Sequence, residues 1–255
     1  MKKKFELKDI FRNKFSKYIR NIFGIKPAHF LIDYTGNNIS VSDAFFWRTD
    51  RNFKTIFKFT DILKFFYKNE DSEVEIIFFD KSSKVIKSIS LKNIDLSNEI
   101  KIDKNFLDGL EDYGTFFLYH KSSVKVDAIV RNSCYTGYSY LDNLPSFVHG
   151  NTLTNYKSFD GKVVKNGIGG KSLISNQIYQ VQKHIDSDKT EILIMNPCDS
   201  KIKVKVNDLS FFLNKGCSRL VKIINKEMIT IKSNSYILRP IIFNFKGTYL
   251  DAHHG

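Results

Sequence analysis

Apolar residues along this chain change their period once. Over residues 1–26 they recur at helical spacing: at about 100° per residue, Leu7, Phe11, Phe15, Tyr18 and Ile22 fall within one narrow arc, flanked by Ile10, Ile19 and Phe23. Asp9, Asn13, Ser16, Lys17 and Arg20 lie opposite. Lys8 falls inside the arc and Arg12 at its edge, so both must snorkel their charged ends outward. Gly24 tolerates left-handed backbone and Pro27 cannot continue a helix, so the pattern predicts an amphipathic helix ending near Phe23.

After Pro27 the pattern shortens to β-rich runs separated by turn residues. Strands are expected at 29–34 and 39–46, joined by a tight turn at 35–38, and again at 53–59. Thr60 and Asp61 are placed to cap a short helix running to Tyr67, with 68–72 as its loop. Residues 75–90 read as strand, polar turn and strand, and 191–206 repeat that plan with one extra turn residue. Further strands are expected at 99–103 and 115–120 after the first, and at 219–224, 228–232 and 237–245 after the second. The matching order predicts a mainly β protein of one or two antiparallel β-sandwich units, with internal duplication, behind the N-terminal amphipathic helix. The expected divisions are the helix at 1–26, a sandwich-like unit at 27–126, a Tyr/Gly/Asn-rich connecting segment at 127–189 and a second β unit at 190–255.

Charge sharpens the reading of the helix alone. The chain carries a net +13, and residues 1–26 hold nine Lys or Arg against two acids, a net of +7. The other +6 is spread over 229 residues, and 33 Lys to seven Arg is the usage of AT-rich codons, so nucleic acid is not an expected partner. A local basic amphipathic helix suits an anionic membrane surface, where each basic residue contributes about 1 kcal/mol. Leu7, Phe11, Phe15, Tyr18 and Ile22 are its expected contacts. The segment is too charged for a transmembrane span or for the apolar stretch of a secretory leader, so a cytoplasmic location on the inner face of a membrane is expected. The same helix could instead pack on other protein chains, which would make this a structural or assembly protein, and a homo-oligomer is compatible with that arrangement. Cys134, Cys198 and Cys217 form no CxxC pair and are expected as reduced thiols, Cys198 in an exposed turn.

The chemistry-bearing residues gather in the central segment. Arg131, Tyr135, Tyr138, Tyr140, Asp142, His149 and Asn151, with Phe147 and Asn143 among them, combine flat apolar rings with directional polar groups. Sugars need that combination, because C–H faces stack on rings while hydroxyls pair with planar polar side chains. The leading expectation is therefore a binding or accessory protein for a glycan, glycolipid or similar polar ligand, with no cofactor. An enzyme is the alternative, with His149, His253, His254 and Asp251 as candidates for acid/base or metal chemistry. No HxH, HExxH or HxxxH occurs, and adjacent histidines point apart in regular structure, so no metal site is assigned. The GKS at 170–172 lacks the P-loop glycine, since Lys165 stands at that position, and reads as a glycine-rich turn. Trp47 to Asp50 reads as a core corner anchored by the indole and an Arg–Asp pair.

Overall fold

Alternation with period two governs most of the chain, and in Phe53–Phe59 it puts Phe53, Thr55, Phe57 and Phe59 inside while Lys58 faces out. The computed structural model describes residues 14–23, 38–132, 134–172, 176–182, 186–224 and 228–255. Among these, α1 spans Lys14–Ile22 and α2 Ile62–Tyr67. The first ten strands are β1 (Ile39–Asp43), β2 (Phe45–Arg48), β3 (Phe53–Phe59), β4 (Glu73–Asp80), β5 (Val85–Lys92), β6 (Asn98–Ile102), β7 (Tyr113–Lys121), β8 (Ile129–Arg131), β9 (Tyr135–Tyr140) and β10 (Ser146–His149). Ten more follow: β11 (Leu153–Ser158), β12 (Val164–Asn166), β13 (Gln177–Gln182), β14 (Lys189–Met195), β15 (Ile202–Val206), β16 (Leu209–Leu213), β17 (Ser218–Ile224), β18 (Met228–Ser233), β19 (Ile241–Lys246) and β20 (Tyr249–His254).

The protein is mainly β, as expected, but the strands do not assemble as one or two sandwich units. They form five four-stranded sheets, a propeller-like set in number and size: β12-β11-β1-β8, β10-β9-β3-β6, β2-β7-β4-β5, β13-β18-β15-β16 and β17-β14-β19-β20. Each sheet recruits strands distant in sequence, so none is a local four-strand repeat. The expected duplication is not reproduced in the pairing. β4 pairs with β5 as a hairpin, whereas β14 and β15 lie in different sheets, β14 between β17 and β19 and β15 between β16 and β18. The reason is burial. β14 is covered on both faces, with Ile192 and Ile194 in one apolar cluster and Leu193 and Met195 in another, and such a strand takes a central place.

Two further expectations change. Residues 39–46 break at Ala44 into β1 and β2, which join different sheets, and the connecting segment supplies β8 to β13. Cys198 is fully buried, its Sγ 3.6 Å from the Gly170 carbonyl, because the Ile168 and Gly169 backbone bridges to it. Gly169 approaches the Pro197 carbonyl too closely for a side chain, so the glycine-rich stretch serves backbone packing. The expected strand at 29–34 and most of the turn before Asn38 lie outside the described residues, as do Leu7 and Phe11. Of the N-terminal segment the structure describes the helical turns of α1, with Phe15, Tyr18 and Phe23 exposed and Ile22 half-buried. Among the described residues no helix is long and apolar enough to cross a membrane.

The corner at Trp47 fastens the molecule. Trp47 is buried and its indole N–H donates to the Phe79 carbonyl at 2.9 Å. Arg48, also fully buried, makes a two-point contact with Asp50 and reaches Glu191 of β14 at 2.9 Å. Its guanidinium lies 3.8 Å from the Phe53 ring centroid and 4.8 Å from that of Phe243. Arg51, held at φ 50°, grips both Glu191 oxygens at 2.8 Å. Burial alone would raise the Glu191 carboxyl, yet the Arg51 hydrogen bonds and the Arg48 and Arg51 charges hold it down at about 2. This network ties β2 and β3 to β14, and β3 is the strand beneath the candidate site.

Candidate functional site

The sheet β10-β9-β3-β6 has one face in the core and one outward, and its register fixes which side chains share the outer face. Tyr135 stands opposite His149 and Lys58, and Lys58 opposite Glu99, so these four form one row. Phe147, Gly137, Ile56 and Lys101 form the next. Tyr135 is 45% exposed and Phe147 40%. The two rings stand in adjacent rows of the same outer face, so their exposed surfaces adjoin. The Tyr135 and His149 rings lie 4.9 Å apart, and Lys58 Nζ is 5.2 Å from the Phe147 centroid.

Gly137 explains why the platform is flat. A Cβ there would lie 2.6 Å from Phe147 Cε1, so the Phe147 ring rests across the bare backbone of β9. Lys58 and Glu99 pair at 3.4 Å with both side chains about half exposed. Such a pair is worth about 0–1 kcal/mol, so either partner can turn to an incoming hydroxyl at little cost.

A polar corner lies beyond the end of β10. Arg131 donates from Nε and Nη2 to the buried Asp43 carboxylate at 3.0 and 2.7 Å while its side chain stays about half exposed. Burial pushes the Asp43 carboxyl up, and Arg131 opposes that rise. Gly150 presses the end of β10 against this pair, since a Cβ there would meet Asp43 Oδ2 at 2.2 Å. From β20, His254 Nε2 donates to the His149 carbonyl at 3.0 Å. Burial, with the Arg239 charge adding to it and the His149 carbonyl opposing, lowers the His254 imidazole to about 4, so it is neutral near pH 7.

The residues expected to form the site therefore separate. Tyr135 stands beside His149 and Phe147 extends this ring pair along β10, His254 meets His149 at its backbone carbonyl, and Arg131 is held by Asp43 beyond the end of β10. Tyr138 does not join them: it is 0% exposed, donates to the Phe46 carbonyl at 3.1 Å and packs edge-on to Phe243, so it is a core residue. Burial raises its phenol strongly. Tyr140 is half-buried against Phe53 and Phe245, facing the core side of β9. Asp142 lies beyond the far end of β9, ion-paired with Lys54, which stands opposite Ser139 and away from Tyr135 at the other end of the strand. Asn151 is buried.

His253 and Asp251 pair with each other at 3.0 Å on the face of β20 opposite His254, so His149, His253, His254 and Asp251 do not form one cluster. Among the described residues no group of three or more His, Cys, Asp or Glu is arranged to hold a metal ion. Lys58 and Glu99 were not singled out in the sequence. The outward parity of Lys58 in β3 was readable there, but its neighbour β9 lies about 80 residues away, and only the pairing brings them together.

No protein-family model matches the chain, and no curated protein matches it. Among solved structures it aligns with the major pilin protein (T-13) from Streptococcus pyogenes at 10% identity, over 86% of this chain and 96% of that one. The TM-score is 0.19, a likeness too slight to carry an argument about fold or function.

Proposed function

We propose that this protein is a binding or accessory protein that recognises a glycan or glycolipid on the outer face of β10-β9-β3-β6. The observation that carries this reading is the exposed, flat array of Tyr135, Phe147 and His149, two adjacent rows of one sheet with Lys58 and Glu99 alongside. A pyranose lays its C–H face on such rings and pairs its hydroxyls with the flanking charges. The binding face differs from the sequence expectation in lacking Tyr138, Tyr140, Asp142 and Asn151.

The basic N-terminal segment supports a second element of the proposal, attachment to an anionic membrane surface on its cytoplasmic side. Its support is the charge of +7 over residues 1–26 together with the exposed Phe15, Tyr18 and Phe23.

The test is a screen of the full chain against an oligosaccharide array, followed by calorimetry with the best ligand. Tyr135→Ala and Phe147→Ala are expected to weaken binding about tenfold each while melting temperature stays within about 2 °C, since both rings are substantially exposed. Loss of melting temperature with unchanged affinity would remove the platform from the site.

A further inference from the structure

Lysines are spread over much of this chain, but one sheet gathers them without acids. The strands of β13-β18-β15-β16 contain no Asp or Glu, while β15 carries Lys203 and Lys205, β18 carries Lys232, and Lys201 immediately precedes β15. Alternation fixes where they point. Ile202, Val204, Val206, Ile229 and Ile231 enter an apolar cluster, so the opposite parity faces outward, and all four lysines are exposed. The register sets Ile178, Lys232, Lys205 and Ser210 in one row, and Lys203 with Phe212 in the next. Ile178 is 60% exposed and Phe212 59%, and Lys201 Nζ lies 4.6 Å from the Phe212 ring centroid.

Two features of this face call for a counter-charge from outside the chain. Lys205 and Lys232 stand directly opposite each other on the two central strands, and like charges so placed destabilise a sheet. Among the described residues none of the four lysines has an acidic partner, and Asp199 and Asp208 lie at the two ends of β15 rather than within the rows. The face also closes one end of a three-layer stack. In the middle layer, β17-β14-β19-β20, Ile192, Ile194 and Ile242 pack on the lysine-bearing sheet, while Leu193, Phe243 and Phe245 pack toward Phe53 and Tyr138 of β10-β9-β3-β6. The lysine face therefore points away from the Tyr135 and Phe147 platform, which is the outer side of the opposite layer.

We propose that this lysine face is a second contact with an anionic lipid bilayer. The inference rests on the membrane reading of the N-terminal segment and adds a surface of the β body, one that leaves the ring platform open to solvent. Lysine ammoniums are mobile point charges that suit a fluid array of headgroups, and Ile178 and Phe212 have an interfacial layer to enter. A nucleic acid would supply phosphates but no apolar layer for Ile178. Each lysine near an anionic leaflet contributes about fivefold at best, so four give attachment in the millimolar range, and the face acts together with residues 1–26 rather than alone.

The experiment measures partition of the full chain onto phosphatidylcholine vesicles with and without about 30% phosphatidylserine. Binding is expected only to the anionic vesicles, and the triple variant Lys203→Gln, Lys205→Gln, Lys232→Gln should weaken it about tenfold or more, with sugar affinity unchanged. Lys232→Glu guards against misfolding as the cause: it sets opposite charges beside each other on β15 and β18, so it should weaken vesicle binding while the melting temperature holds or rises. Anionic-vesicle binding unchanged in both variants overturns the inference and leaves the N-terminal reading standing. Loss of binding to an oligonucleotide with vesicle binding unchanged also overturns it, in favour of nucleic acid. No binding of the full chain to either vesicle overturns both readings.

Discussion

Glu191 shows how a single residue can be expensive to change in this protein. It is fully buried with its charge compensated by Arg48, Arg51 and Lys189. Glu191→Gln leaves the buried Arg48 guanidinium short of a carboxylate in the interior and the half-exposed Arg51 without its two-point partner, and is expected to cost about 3 kcal/mol, read from the shift in urea midpoint. His254 predicts a distinct pH dependence. Its folded value, near 4, lies below the ordinary 6.5, so from pH 6.5 down toward 4 the unfolded chain binds a proton that the folded chain does not. Stability is therefore full above about pH 6.5 and falls as pH drops through that window. Glu191, depressed from 4.5 to about 2, continues the loss below pH 4.5. Urea unfolding at pH 7 and pH 5 checks this, since the difference between the two should shrink in His254→Gln.

At the scale of elements, the platform depends on two strands lying close enough for Phe147 to cover Gly137. Gly137→Ala puts a methyl where the Phe147 ring rests, and the ring is free to swing outward because it is already partly exposed. The expected outcome is weaker ligand binding with a stability loss of at most about 1 kcal/mol, measured by calorimetry beside thermal unfolding. A loss of several kcal/mol would mean that the ring is wedged in place rather than laid across the strand. Several elements were legible from local chemistry. Phe53–Phe59 alternates cleanly, and Asp61 caps α2 by accepting from the Lys64 N–H at 3.0 Å, as the Thr60–Asp61 sequence indicated. By contrast, the likeness of 75–90 to 191–206 reported two strand–turn–strand segments but not their partners, since hydrogen bonding within a hairpin and crossing between sheets leave the same alternation.

For the whole molecule, the glycan face and the N-terminal segment make separable demands. Removing residues 1–26 is expected to abolish flotation with anionic vesicles while leaving the melting temperature within about 2 °C and sugar affinity unchanged, because the polar corner and the Glu191 network draw their residues from 43 onward. Vesicle association that survives the truncation would move the membrane contact to the β body. The sheet-forming part is bound together across its length. One apolar cluster joins Phe46, Phe53, Phe117 and Tyr138 to Leu193, Phe243 and Leu250, so residues from both halves of the chain share a core.

What the sequence by itself determined was local: the strand periodicity, the capped helix after Asp61, the corner at Trp47 and the gathering of rings and polar groups between Arg131 and Asn151. These follow from forces acting within a few residues, namely side-chain alternation, capping and the burial of a large indole. Tertiary structure decided which rings face solvent, turning Tyr138 inward while leaving Tyr135 and Phe147 outside. It also brought Lys58 to the Phe147 ring and His254 to the His149 carbonyl from strands far along the chain. Strand pairing is set by contacts between distant segments, and alternation along one strand carries no record of its neighbour.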